Sequence, residues 1–150
     1  LSVNLSSSFH TIASVIPHME NAQFGRIINI SSVHGLVASK NKSAYVAAKH
    51  GLIGLTKVVA LEQACGPITC NSICPGWVKT PLVEEQIRHR AQHNSTTIQT
   101  EETSLLFEKQ PSGKFVSIKD IAEMVAFLCG SAASNITGSC FVMDGGWTSQ

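Results

Sequence analysis

The sequence predicts an α/β fold, a parallel sheet with helices on both faces. Three observations carry this. Three short apolar runs, 26–30, 68–74 and 139–143, read as buried strands. Longer stretches of helical periodicity alternate with them, and such alternation builds parallel sheets. Each run also ends in small or turn-forming residues: Ser31-Ser32, Pro75-Gly76 and Asp144-Gly145-Gly146. Strand ends and helix starts that meet along one rim are where open α/β sheets bind ligands.

The first stretch, 1–22, places Leu5, Phe9, Ile12, Val15, Ile16 and Met19 at helical spacing in two apolar stripes. A helix with two stripes is covered on more than one side. Ser6-Ser7-Ser8 gives it a small face for close approach. Gly25 closes the helix region, 26–30 is the first strand, and 35–42 is a loop. Ser43 is placed to cap a helix that runs to about Cys65. Gly51 and Gly54 inside it cost about 1 kcal/mol each relative to Ala, which implies close packing there. Gly66-Pro67 breaks the helix ahead of the strand 68–74. The segment 83–114 is polar, Gln-rich and of mixed charge, and reads as a long lid between strands. Ser117 caps a helix over Ile118–Cys129, buried through Ile121, Val125 and Leu128, and the last strand ends at Asp144-Gly145-Gly146-Trp147.

One hundred and fifty residues, 43% hydrophobic and 14% charged, make one globular unit with a real core. A net charge of +1 gives no electrostatic case for nucleic acid or for a membrane surface. The charge is uneven, however: Lys40, Lys42, Lys49, His50 and Lys57 cluster, which either attracts an anion or solvates one surface. Five cysteines with no C-x-x-C read as buried, reduced thiols, and point to the cytoplasm or, alternatively, the mitochondrial matrix. No metal is expected, since His89 and His93 lack the H-E-x-x-H pattern. No apolar run reaches the length of a membrane span.

The chemistry points to one stretch. Tyr45 is the only tyrosine, and Lys49 follows four residues later in an Ala-rich helix. That spacing puts both side chains on one face. A phenol is a poor base near pH 7, and a cation within about 4–6 Å favours its ionised form. The pair therefore reads as a general acid/base. Taken alone it also fits a half-buried Tyr beside a solvated Lys. Ser32, thirteen residues before Tyr45, leaves the first strand end and either offers a hydroxyl to a substrate oxygen or, as a loop hydroxyl, bonds its own backbone.

Asn4, Ser32, Tyr45-x-x-x-Lys49, Pro75-Gly76 and Asp144-Gly145-Gly146 together resemble the short-chain dehydrogenase/reductase family, over essentially the whole chain. The resemblance implies a doubly wound, Rossmann-like sheet and a nicotinamide cofactor, NAD with NADP as the alternative. It implies catalysis by Asn4, Ser32, Tyr45 and Lys49, with Asn4 binding a water that links Lys49 to solvent. Tyr45, Lys49, Pro75, Gly76, Val78, Thr80 and Leu82 would line the cofactor. The flanks His34-Gly35-Leu36-Val37-Ala38-Ser39, Asn41-Lys42-Ser43, Trp77-Val78 and Trp147 are similar to those of members that interconvert 3-hydroxybutyrate and acetoacetate. Ser32, His34, Lys42, Tyr45, Trp77, Gln86 and Trp147 would then hold a small carboxylate substrate. A homo-oligomer, a tetramer in the family, is implied through the helices 1–22 and 43–65. A 3-oxoacyl thioester or sugar reductase is the alternative substrate class. The Gly-rich turn that cradles pyrophosphate in such folds is not among these residues. The chain is therefore expected to be the C-terminal portion of such an enzyme, without its first βαβ half. A non-catalytic chain that binds full-length subunits is the second expectation.

Overall fold

The computed structural model describes residues 1–149. It contains three parallel strands in the order β1-β2-β3: β1 (Gly25–Ile30), β2 (Ile68–Pro75) and β3 (Cys140–Met143). Gly25 pairs with Ile68 and Ile30 with Ile73, while Ser72 pairs with Cys140 and Pro75 with Met143. β2 is central and all eight of its residues are buried. A strand without in–out alternation, covered on both sides, buries its polar Thr69, Asn71 and Ser72 along with its apolar residues.

The period-2 alternation of β1 assigns its residues to two cores. On one face α1 (Ser7–Asn21) and α2 (Ser43–Glu62) pack Ile12, Val59 and Ala60 against Ile27, Ile68 and Cys70. On the other, α5 (Ile118–Cys129) packs Ile121, Val125 and Leu128 against Ile28 and Ile73. Helices therefore cover both faces, as the alternation predicted. A buried polar line crosses the first core. The Asn29 amide donates to Thr56 Oγ1 at 2.9 Å, and Thr56 and Ser72 hydroxyls lie 2.8 Å apart. Partnered in this way, these groups fix the register of α2 on the sheet. Among the described residues only α2 is long and apolar enough to cross a bilayer, and part of its apolar surface, Leu52, Ile53, Val59 and Ala60, is buried within the protein.

Several expectations need correction. The helix 1–22 begins as a π-helical turn, Ser2–Ser6, before α1. Ser43 is not the cap of α2; Lys42 occupies that position without a side-chain hydrogen bond. The segment expected as a lid, 83–114, consists mostly of two helices that periodicity did not predict, α3 (Pro81–Asn94) and α4 (Ile98–Lys109). Thr80 caps α3 by accepting from Val83 N–H at 3.4 Å, and Thr97 caps α4 by accepting from Thr100 N–H at 3.1 Å. Buried Glu101 joins the two helices, accepting from Arg90, Asn94 and Thr96. Gly51 is packed as expected, since a Cβ there would stand 2.8 Å from Leu5 Cδ2, whereas Gly54 faces open space. All five thiols are free, but Cys65 and Cys129 are exposed rather than buried.

Candidate active site

β1 ends at Ile30 and the chain turns through Ser31 and Ser32 into a 3₁₀ turn, Val33–Gly35. Ser32 caps that turn, its Oγ accepting from His34 N–H at 3.2 Å. Gly35 lets the turn rest on α2: a Cβ would lie 2.9 Å from the Lys49 carbonyl oxygen and 2.6 Å from Ile53 Cδ1. The first two turns of α2 therefore stand directly over the end of β1. Tyr45 and Lys49 share one face there, with Lys49 Nζ 5.7 Å from the centre of the Tyr45 ring. Lys49 is buried and donates to the Ile30 carbonyl at 2.8 Å. Tyr45 is partly exposed and its phenol is free of protein hydrogen bonds among the described residues.

Around this pair lies a cavity of about 730 Å³. Ser32, His34, Lys42, Tyr45 and Lys49 form one wall. Pro75, Gly76, Trp77, Val78, Thr80, Leu82 and Gln86, from the end of β2 onward, line the cavity as well, as does Trp147 after β3. The three expected strand ends have met at one rim, as an open α/β sheet requires. Asn4 stands apart: it lies half-buried in the π-helical turn, does not line the cavity and makes no hydrogen bond to Lys49 among the described residues.

The far end of the cavity is aromatic. The His34 ring meets Trp147 edge-on at 5.4 Å and Tyr45 at 5.8 Å, and the two indoles lie 5.9 Å apart. Lys42 Nζ sits 5.3 Å from the centre of Trp77, where the π-face stabilises its charge. Burial, then the charges of Lys42, His50 and Lys109, lower His34 to a pKa of about 4, so its ring is neutral at pH 7. Burial also lowers Lys49, against a smaller opposite pull from Cys74. Burial opposes ionisation of Asp144, but hydrogen bonds from the Thr148 hydroxyl and N–H and from Gly146 N–H outweigh it and hold the carboxyl below its usual range.

Residues that the sequence did not single out also line the cavity, among them Ile30, Val33, Ala44 and Val83, and most follow from adjacency to residues that it did. Asn41 lines it too, at φ 63°, a left-handed conformation that Asn tolerates, at the turn into α2.

The family profile described as Enoyl-(Acyl carrier protein) reductase matches residues 1–148. The chain belongs to the short-chain dehydrogenase/reductase family. A curated family relative, the D-beta-hydroxybutyrate dehydrogenase of Rhizobium meliloti, is 53% identical over all 150 residues, and the chain spans 58% of that relative's length. Two solved structures of oxidoreductases superpose closely. An actinorhodin polyketide ketoreductase variant with NADPH gives a TM-score of 0.88 at 32% identity, over 98% of this chain and 57% of that one. A 4-hydroxyisoleucine dehydrogenase complexed with NADH gives 0.86 at 38% identity, over 99% and 57%. The cavity's volume falls within the range of roughly 300–1,000 Å³ for ligand sites, and its walls mix apolar side chains with many polar ones, Ser32, His34, Lys42, Tyr45, Lys49 and Gln86 among them.

Proposed function

We propose that this chain is the catalytic and substrate-side portion of an NAD-dependent oxidoreductase, with NADP as the alternative cofactor, that interconverts 3-hydroxybutyrate and acetoacetate. One observation carries the reading. Every residue expected from sequence to act on substrate or nicotinamide, save Asn4, lines one cavity. The similarity to a D-beta-hydroxybutyrate dehydrogenase supports the substrate.

The roles follow from position. Ser32 Oγ holds the substrate's C3 oxygen beside Tyr45 Oη, which takes the hydroxyl proton. Lys49 sets a positive charge next to that phenol. A bound nicotinamide supplies the acceptor for the hydride that leaves C3. Pro75, Gly76, Val78, Thr80 and Leu82 form the wall against which its ring and ribose would rest. Lys42, Gln86 and the neutral His34 ring bind the carboxylate, and Trp77 and Trp147 bound the space for the methyl end.

The test compares 3-hydroxybutyrate with its methyl ester. Removing the carboxylate's charge is expected to lower kcat/KM by roughly tenfold or more, the scale of a charged hydrogen bond. Lys42→Ala should abolish that difference. Equal rates on acid and ester, or a preference for 3-oxoacyl thioesters or sugars, would move the substrate to another class.

A second reading concerns partners. Phe9, Val58 and Leu61 are large, apolar and more than half exposed on α1 and α2, and Gly54 opens the same helix to close approach. These faces support association with further copies, as the tetramer of the family would require. Sedimentation of the chain across concentration tests it; a monomer throughout would remove it.

A further inference from the structure

We propose that Gln110 is a positioning residue whose buried amide, wedged between the two turns that carry Trp77 and Trp147, sets the separation of those indoles and so the size of group the cavity admits. The proposal rests on reading the cavity as the substrate site.

Gln110 follows α4 directly, well away in sequence from both tryptophans, and is 1% exposed. Burying so flexible a polar side chain is unfavourable unless both ends of its amide are satisfied. They are. Oε1 accepts from Trp77 N–H at 2.9 Å, and Nε2 donates to the Lys114 carbonyl. The slot it fills is cut by two glycines. A Cβ at Gly76 would stand 2.5 Å from Gln110 Oε1, and one at Gly145 would stand 2.9 Å from Gln110 Cγ. Gly145 also has φ +58°, so a side chain is disfavoured there twice over.

The surrounding backbone completes the clamp. Ser112 N–H donates to the Gly145 carbonyl at 3.0 Å, and Val116 N–H donates to the Trp77 carbonyl at 2.8 Å. Gly113, at φ +62°, closes the tight turn that brings its own N–H to the Gln110 carbonyl at 2.9 Å. Gly76 N–H reaches the Met143 carbonyl at 2.9 Å, tying the two tryptophan-bearing turns to each other. Gln110 is thus the side chain lodged between both turns, and the indoles beyond it stand 5.9 Å apart at 37°. None of its contacts is needed to build the sheet, whose ladder is complete without it.

The chain has only these two tryptophans, so near-ultraviolet circular dichroism reports on this pair. Two variants decide the matter. Gln110→Met keeps the length of the side chain but removes the amide; the coupled indole band should be lost while the far-ultraviolet spectrum holds. Gln110→Glu is the sharper probe. When ionised it accepts from Trp77 N–H but cannot donate to the Lys114 carbonyl. When protonated it does both, as the amide does. Its band should be lost near pH 8 and recover as the pH falls to about 5.5, with the unaltered chain over the same range as reference. A plain cavity filler would show no such recovery. In turnover, Gln110→Met should raise kcat/KM for 3-hydroxypentanoate relative to 3-hydroxybutyrate by roughly tenfold, the scale set by one methylene. An unchanged band in Gln110→Met, a band in Gln110→Glu that stays lost at pH 5.5, or an unchanged selectivity ratio overturns the proposal. Should Gln110→Met fail to fold, the pH recovery in Gln110→Glu decides alone. The band does not depend on turnover, so a chain that shows it without oxidising 3-hydroxybutyrate would sink the substrate assignment and leave the role of Gln110 intact.

Discussion

Tyr45 and Lys49 are neighbours because a helix brings residues four apart onto one face, and they face the strand end because Gly35 lets the intervening turn lie flat on α2. Residue-scale predictions follow from that geometry. Ser32→Ala should lower kcat far more than it raises KM, since its hydroxyl is assigned to the reacting oxygen; steady-state kinetics checks this. His34 gives a second. Its pKa is lowered from 6.5 in the open chain to about 4 when folded. The unfolded chain therefore binds the proton more readily between those values. Stability should be full above about pH 6.5 and decline as the pH falls toward 4, by on the order of 2–3 kcal/mol. Denaturant unfolding as a function of pH checks it, and His34→Phe should flatten that part of the curve. At this scale the lining of the candidate cavity was largely legible, because the Tyr45-x-x-x-Lys49 spacing together with Ser32 and Pro75-Gly76 carried a family resemblance. The clamp at Gln110 was not. Its partners are backbone groups far away in sequence, and a lone Gln in a polar stretch carries no periodicity to read.

At the scale of elements, strands were easier to read than the helices α3 and α4. The strands announced themselves by short runs rich in Ile, Val and Cys that end in turn residues, because both sheet faces are covered. In α3 the apolar stripe is thin, Val83, Ile87 and Ala91, and in α4 the apolar residues bunch at Leu105-Leu106-Phe107, so the polar majority hid both helices. The signals that were present were local: Thr80-Pro81 and Thr97 as helix starts, with Glu84 and Glu101 in the first turns. Glycines make a matched pair of predictions. Gly35→Ala would press a Cβ against the α2 backbone and should destabilise by roughly 1–3 kcal/mol. Gly54→Ala meets nothing and should stabilise the isolated chain by up to about 1 kcal/mol. Chemical denaturation of both separates them. A loss of stability at Gly54 would instead mean that a second chain packs there.

For the molecule as a whole, the parallel sheet and the covering of both its faces were readable from the alternation of elements. How α2 lies on the sheet was not, because the buried Asn29–Thr56–Ser72 line appears only when distant residues meet. The chain spans 58% of the length of its Rhizobium meliloti relative, and its cavity lies where three strand ends converge. The account depends on that cavity being a place where an alcohol loses its hydroxyl proton to one group and its carbon-bound hydride to another. The most direct measurement is the rate of NADH formation from 3-hydroxybutyrate by the unaltered chain and by Tyr45→Phe. The prediction is turnover in the first and a fall of about 10²–10⁴-fold in the second, the usual contribution of a general acid/base. Equal rates in the two, or no NADH from the unaltered chain at saturating substrate and cofactor, would contradict it.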